Sequence, residues 1–181
     1  MRKIVSIGMF VAVAVFLVTG CATAPKTAES KAELNTKVQN AIDKAIKSDP
    51  GLKKFFDEAA GYAVFPTVGK GAIGVGGAYG RGELYGAGQL EGYCALTQAS
   101  IGLALGGQAY TELIFFETKV ALDRFKTGNF AFAAQASAVA LKAGASANAK
   151  YTDGVAVFTM GEAGLMYEAS IGGQKFSYKP K

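Results

Sequence analysis

The chain has 181 residues, half of them hydrophobic, with 19 basic and 14 acidic side chains, a net charge of +5 and no histidine. Without histidine there is no Ser-His-Asp or Cys-His nucleophile, no imidazole general base and none of the common zinc sites. The basic excess is too thin for dedicated nucleic-acid binding, which needs a concentrated basic face.

Arg2 and Lys3 open the chain with positive charge, Ile4 to Val18 carries none, and Gly20-Cys21 follows. A basic start, a short apolar run and small residues before a break describe a secretory signal. The run is shorter than the roughly 20 residues of a comfortable membrane span. Gly20 directly before Cys21 reads as a lipobox, so residues 1–20 are expected to be removed and the Cys21 thiol acylated. An ordinary signal peptide that happens to contain a cysteine is the competing reading. One acyl chain gives only reversible attachment, at about 0.8 kcal/mol per buried methylene, so a multiply acylated cysteine anchors permanently. Ala22, where an Asp marks inner-membrane retention in Gram-negative lipoproteins, points to the outer membrane.

The mature chain keeps 17 basic and 14 acidic residues, net +3. That leaves room for attraction to anionic lipid, at about 1 kcal/mol per basic residue near the surface. Its roughly 160 residues suffice for one domain with a sizeable core. Cys94, in the apolar run Tyr93-Cys94-Ala95-Leu96, has no partner once Cys21 is acylated and reads as a buried structural thiol.

In chain order, residues 21–29 read as a lipidated, flexible tether. Ser30 and Glu33 have capping-box spacing, and Leu34, Val38, Ala41, Ile42, Ala45 and Ile46 recur at helical spacing, predicting an amphipathic helix over 31–48 that could lie on a membrane. Asp49-Pro50 opens a second helix over 50–59, with Leu52, Phe55, Phe56 and Ala59 on its apolar face. From Gly61 the texture becomes strand-like: 62–65, stopped by Pro66; the glycine-rich 71–85; 93–105; and 109–116. Thr118 caps a helix with Val120, Ala121, Leu122 and Phe125. Residues 129–149 read as a long curved strand, and 155–159, 165–171 and 175–178 complete the chain. Gly61 to Phe65 is echoed by Gly154 to Phe158, a possible duplicated strand pair or a coincidence of composition.

Gly69-Lys70-Gly71-Ala72-Ile73-Gly74 fits G-x-G-x-x-G literally, but it runs into more glycine and β-type residues rather than opening a helix, so a dinucleotide site does not follow. Asp57 and Glu58 are adjacent on a helix and point apart. Glu112 and Glu168 fall in strand-like runs and read as solvent-facing alternate positions. No carboxylate set for hydrolysis or metal binding emerges. Cations beside aromatic residues remain: Lys70 and Arg81 bracket the glycine-rich stretch near Tyr79 and Tyr85, and Lys53 and Lys54 precede Phe55-Phe56. Such pairings suit the headgroup zone of a bilayer. For Lys53 and Lys54 the alternative is a solvated face over a buried phenylalanine pair.

Gly61-Tyr62-Ala63-Val64-Phe65-Pro66, Gly69-Lys70-Gly71, Gly76-Gly77 and Gly80-Arg81-Gly82 resemble the opening block of the SYLF lipid-binding domain family. Gln98 to Gln108, Leu113 to Phe116, Val120 to Phe125 and Gly128-Asn129 resemble its middle block. Asp153 to Thr159, Gly164-Leu165 and Ala169 to Gly173 resemble its closing block. The likeness runs in order over about residues 60–178. It implies non-catalytic binding of acidic lipids, with Lys70 the first headgroup contact and Arg81 in the adjoining glycine block. Bacterial members are typically envelope lipoproteins, and the actin binding of some yeast members does not transfer to an extracytoplasmic protein.

The expectation is therefore one α+β domain over 30–181: N-terminal helices, then a strongly curved, mainly antiparallel sheet or barrel with one inserted helix. Its expected function is binding of anionic phospholipid by a protein anchored to the outer membrane through Cys21. Lys70, Arg81, Lys53 and Lys54 are the expected contacts, and no cofactor or metal is called for. The alternatives are a structural or protein-interaction module of the envelope and a carrier holding a lipid chain inside a barrel.

Overall fold

A computed structural model of the chain describes residues 23–181 except 74, 102–105, 129, 134–135 and 162–168. The leader 1–20, Cys21, Gly74 of the glycine motif, Glu168 and the first part of the strand expected at 165–171 lie outside the described residues.

Among the described residues, three helices and eight strands follow one another: α1 (Ala28–Ser48), a 3-10 turn (Pro50–Leu52), α2 (Lys53–Glu58), β1 (Gly61–Ile73), β2 (Val75–Gly86), β3 (Gln89–Ile101), β4 (Gly106–Phe116), α3 (Lys119–Lys126), β5 (Ser137–Ala140), β6 (Val155–Gly161), β7 (Ala169–Ser170) and β8 (Lys175–Pro180). The strands lie in the order β7-β5-β6-β4-β1-β2-β3-β8. All neighbours are antiparallel except β5 and β6. The fold is α+β as expected, but the sheet does not close into a barrel. Among the described residues, an isolated bridge, Ala131 to Lys175, and backbone hydrogen bonds joining 130–136 to 171–176 draw its two ends together.

α1 begins earlier than the spacing predicts. Thr27 is the N-cap: its hydroxyl accepts from the Ser30 N–H at 3.2 Å, and the Ser30 hydroxyl accepts from the Thr27 N–H at 3.1 Å. Ser30 thus closes the capping box from inside the helix. Pro66 does not stop β1. The ladder slips by a bulge on both sides of it, between Val64 and Thr67 towards β2 and between Phe65 and Val68 towards β4, which absorbs the missing N–H. The glycine-rich 71–85 stretch is divided between two antiparallel strands, because the chain reverses where Ile73 pairs with Val75. Residues 129–149 do not form a long strand either. β5 pairs with β6 at only two positions, and Gly144, at φ +77°, ends any extended run before a 3-10 turn at Ala145–Asn148.

Alternation along the strands feeds two cores. On one face α1 and α2 cover the sheet, and Leu34, Val38, Ala45, Leu52 and Phe55 pack on Val64, Tyr85, Leu113, Phe115 and Phe158. On the other, α3 packs Leu122 and Phe125 on Phe65, Leu96, Ile114, Phe116 and Phe176. β6 is buried throughout because both cores reach it. The apolar stripe of α1 is thus spent on the sheet, and this helix does not offer it to a bilayer. Nor is 21–29 a free tether from Thr23 onward: Pro25 is buried and the Thr23 hydroxyl hydrogen-bonds the Ser177 hydroxyl at 2.7 Å. The echoed segments flank β4 on opposite sides but one register apart, so Ala63 faces the α3 core while Ala156 faces the α1 core.

Gly82 shows how closely β1 and β2 approach. A Cβ there would lie 2.3 Å from the Val64 carbonyl oxygen and 2.9 Å from Phe65 Cδ1. Main chain cannot step aside cheaply, so Gly82→Ala is expected to cost about 1–3 kcal/mol, read as a lowered thermal midpoint, whereas Gly69→Ala, with its nearest neighbour 4.0 Å away, should be close to neutral.

Candidate lipid-binding site

Register decides which of the four expected contacts share a surface. Lys70 follows Val68 by two along β1 and pairs with Ala78, and both of these belong to the α3 core. Lys70 therefore stands, half-buried, on the α3 face. Arg81 alternates with Gly80 and Gly82 on β2 and shares its face with Tyr79 and Tyr85, the α1 face. It is exposed, and its Nε donates to the Tyr79 hydroxyl at 2.8 Å. The two cations that sequence places together are on opposite sides of the sheet.

Lys53 and Lys54 sit on the outer side of α2, 68% and 72% exposed, beside Asp57 at 3.1 Å and Glu58 at 3.9 Å. Phe55 beneath them is buried against Phe115 and Phe158, with ring centroids 5.5 and 5.0 Å away. This is a solvated face over the buried Phe55 and half-buried Phe56, and each lysine already has an acidic neighbour.

A second set of cations lies where the described chain begins. Thr23, Ala24 and Pro25 run along β8 and, with the start of α1, enclose a groove of about 540 Å³. Lys26, Lys31 and Lys179 line it beside Tyr93 and Tyr178, and no acid does. Lys31 Nζ stands 5.1 Å from the centre of the Tyr93 ring, a cation–π contact that fixes the ammonium over an apolar floor. Lys179 pairs with Tyr93 and Ser177 with Ala95, which pairs in turn with Arg81. Arg81 therefore lies on the same face, two strands away. Sequence reading missed this groove because Lys26, Lys31 and Lys179 are brought together only by the docking of the N-terminal segment on β8.

A larger cleft, about 840 Å³, opens beside the incompletely paired edge of β6. Its walls include Phe130, Phe132, Val157 and Ile171, with Arg124 and Lys150 also lining it. Arg124 is positioned by its Nη2 donating to the Asp153 carbonyl at 3.1 Å and by the Phe130 ring at 5.1 Å.

Glu112 is not solvent-facing, as its alternate position suggested. Both faces of β4 are covered, so alternation here separates two cores rather than core from water. Glu112 is fully buried on the α3 side, where Gln174 Nε2 donates to its Oε2 at 3.0 Å and to the Tyr110 hydroxyl at 3.3 Å. Thr159 is its partner across β6. Among the described residues Glu112 Oε1, Gln174 Oε1 and Thr159 Oγ1 lack hydrogen-bond partners. Burial pushes the Glu112 carboxyl up to about 8, against the smaller opposing effect of the Gln174 bond. It is mostly protonated at neutral pH. Glu83 is the counterpart on the α1 face, accepting from the Tyr85 hydroxyl at 2.6 Å and from Asn35 Nδ2 at 3.0 Å. Cys94 is buried as expected, and burial, reinforced by Glu83, pushes its thiol well above the usual range. A buried protonated carboxyl and a buried neutral thiol contribute to the interior, not to an accessible reaction centre. Among the described residues no three His, Cys, Asp or Glu side chains are placed to hold a metal ion.

No known family model matches the chain. Over 153 residues, 84% of its length, it is 33% identical to Beta cell expansion factor A of Aeromonas veronii. The chain spans 59% of that relative's length.

Buried Glu112 makes stability fall as pH rises. Between the ordinary carboxylate range and about 8, the folded chain keeps a proton that the unfolded chain has lost. The contribution is full at acidic pH and fades as pH rises through that window. Thermal midpoints should therefore fall from pH 5 to pH 8 more steeply in the native protein than in Glu112→Gln, which preserves shape and cannot ionise. Parallel slopes would show that Glu112 does not titrate in this range.

Proposed function

We propose that this protein is an anchored, non-catalytic binder of anionic phospholipid, acylated at Cys21 and held at the outer membrane. The observation that carries the reading is the charge distribution on the sheet. Residues 67–81 and 97–110, the halves of β1 to β4 remote from α2, carry Lys70 and Arg81 and no acid. The exposed Arg81, held by Tyr79 on the α1 face, can attract an anionic headgroup with no acid in these strand halves to oppose it. The likeness of residues 60–178 to the SYLF family supports the same chemistry, and the signal-like start of the chain supports the anchor.

Of the expected contacts, Arg81 is the best presented, being exposed and held by Tyr79. Lys53 and Lys54 are secondary, because their charge is already balanced by Asp57 and Glu58. A second reading, a carrier holding one apolar chain, is favoured by the cleft between Phe130, Phe132 and β6. Lipid co-eluting in native mass spectrometry of the purified protein is its signature.

The mature chain with Cys21→Ser, freed of its anchor, is expected to float with phosphatidylcholine vesicles containing phosphatidylglycerol and not with phosphatidylcholine alone, and to be released as salt rises. Equal partitioning between the two would end the headgroup reading. In cells, the native chain should incorporate labelled palmitate, and Cys21→Ser should not.

A further inference from the structure

The groove at the start of α1 has two properties that no other cationic surface of this molecule combines among the described residues. Lys26, Lys31 and Lys179 line it with no acid between them, and its floor is Tyr93, buried under the Lys31 ammonium. Its wall is also the first described part of the chain. Thr23 is fixed to Ser177, Ala24 packs against the α1 core and Pro25 is buried, so the N-terminal segment is a built part of the fold. Cys21 is two residues before Thr23, and two residues span no more than about 7 Å. Whatever holds Cys21 therefore holds this groove beside it.

We propose that the Lys26–Lys31–Lys179 groove is the phospholipid headgroup site, and that the short link from Cys21 to Thr23 presses this face, with Arg81 and Lys175 beside it, onto the bilayer that carries the anchor. The proposal rests on the membrane reading above and changes its geometry. Lys70, on the opposite face of the sheet, and Lys53 and Lys54, on α2, are not the principal contacts. The occupant is the membrane surface rather than a protein. The groove offers three ammonium groups beside the Tyr93 ring, the mixture that sits at the headgroup level, and the neighbouring row Arg81, Ala95 and Ser177 adds a cation and no acid. Lys175 and Lys179 lie on this face because Phe176 between them is in the α3 core.

The test uses the mature chain with Cys21→Ser, so that the anchor does not mask the contribution of the groove. Each basic residue at an anionic surface is worth about fivefold in partitioning, the equivalent of about 1 kcal/mol. The triple variant Lys26→Ala, Lys31→Ala, Lys179→Ala should therefore partition roughly 100-fold less onto vesicles of phosphatidylcholine with phosphatidylglycerol. Lys53→Ala with Lys54→Ala, and separately Lys70→Ala, should stay within about twofold of the parent. Matching thermal midpoints and far-ultraviolet circular dichroism establish that the variants are folded. A triple variant within twofold of the parent, while the parent still prefers anionic vesicles, overturns the groove and leaves the lipid reading standing. A parent chain with no preference for anionic vesicles overturns both. In the acylated protein reconstituted in the same vesicles, a headgroup-level quencher should quench a fluorophore placed at Ala28→Cys more strongly than one at Thr127→Cys, and equal quenching overturns the orientation.

Discussion

The rest of the structure depends on β4 and β6 being buried from both sides. Leu113 and Phe115 point to the helices and Ile114 and Phe116 to α3, so consecutive residues of one strand close two different cores. The contact is aromatic at its centre. Phe115 meets Phe55 at 5.5 Å, Phe56 at 4.8 Å and Phe158 at 5.8 Å between ring centroids, with the Phe56 and Phe158 contacts edge-on. Aromatic pairs in these orientations add about 0.5–1.5 kcal/mol each beyond the area they bury. This packing fixes where α2 lies, and through the 3-10 turn it fixes the C-terminal end of α1.

Asp49 ties the helical layer down at its other hinge. Its carboxylate accepts from the Ser146 N–H at 2.6 Å and from the Gly51 N–H at 3.1 Å, joining the turn after α1 to the segment between β5 and β6. Burial works against its charge, but the Ser146 and Gly51 bonds outweigh it and hold the carboxyl below its ordinary range. With one end of α1 fixed at Asp49 and the other capped at Thr27 over β8, the helix spans the sheet. Its apolar stripe is consumed there, and the cationic groove lies at its N-terminal end. An acylated Cys21 would then set orientation as well as location, because the segment following it is docked rather than loose.

Much of this was legible in the sequence. Period-3.6 spacing in 31–48, the Thr118 cap and the strand texture after Gly61 predict the elements that form. The errors have specific physical causes. Pro66 reads as a terminator because a proline cannot donate to a ladder, yet a bulge on both sides lets β1 run through it. Glu112 reads as exposed because alternation implies one wet face, and from Tyr110 to Phe116 neither face of β4 is wet. Lys70 and Arg81 read as a pair because they bracket one glycine-rich stretch, but the bulge and the β1–β2 register put them on opposite faces.

The sequence by itself determined the chemistry available to this protein: no histidine, an α+β order of elements, and cations interleaved with tyrosines. Local patterning can do this because propensity, capping and composition act over a few residues. Only the tertiary structure decided which cations stand together. Lys179 is separated from Lys26 and Lys31 by most of the chain, and their meeting depends on antiparallel pairing of β3 with β8 and on Thr23 docking against Ser177. Those are long-range contacts, stabilised by two buried cores, and no short window of the sequence contains both partners.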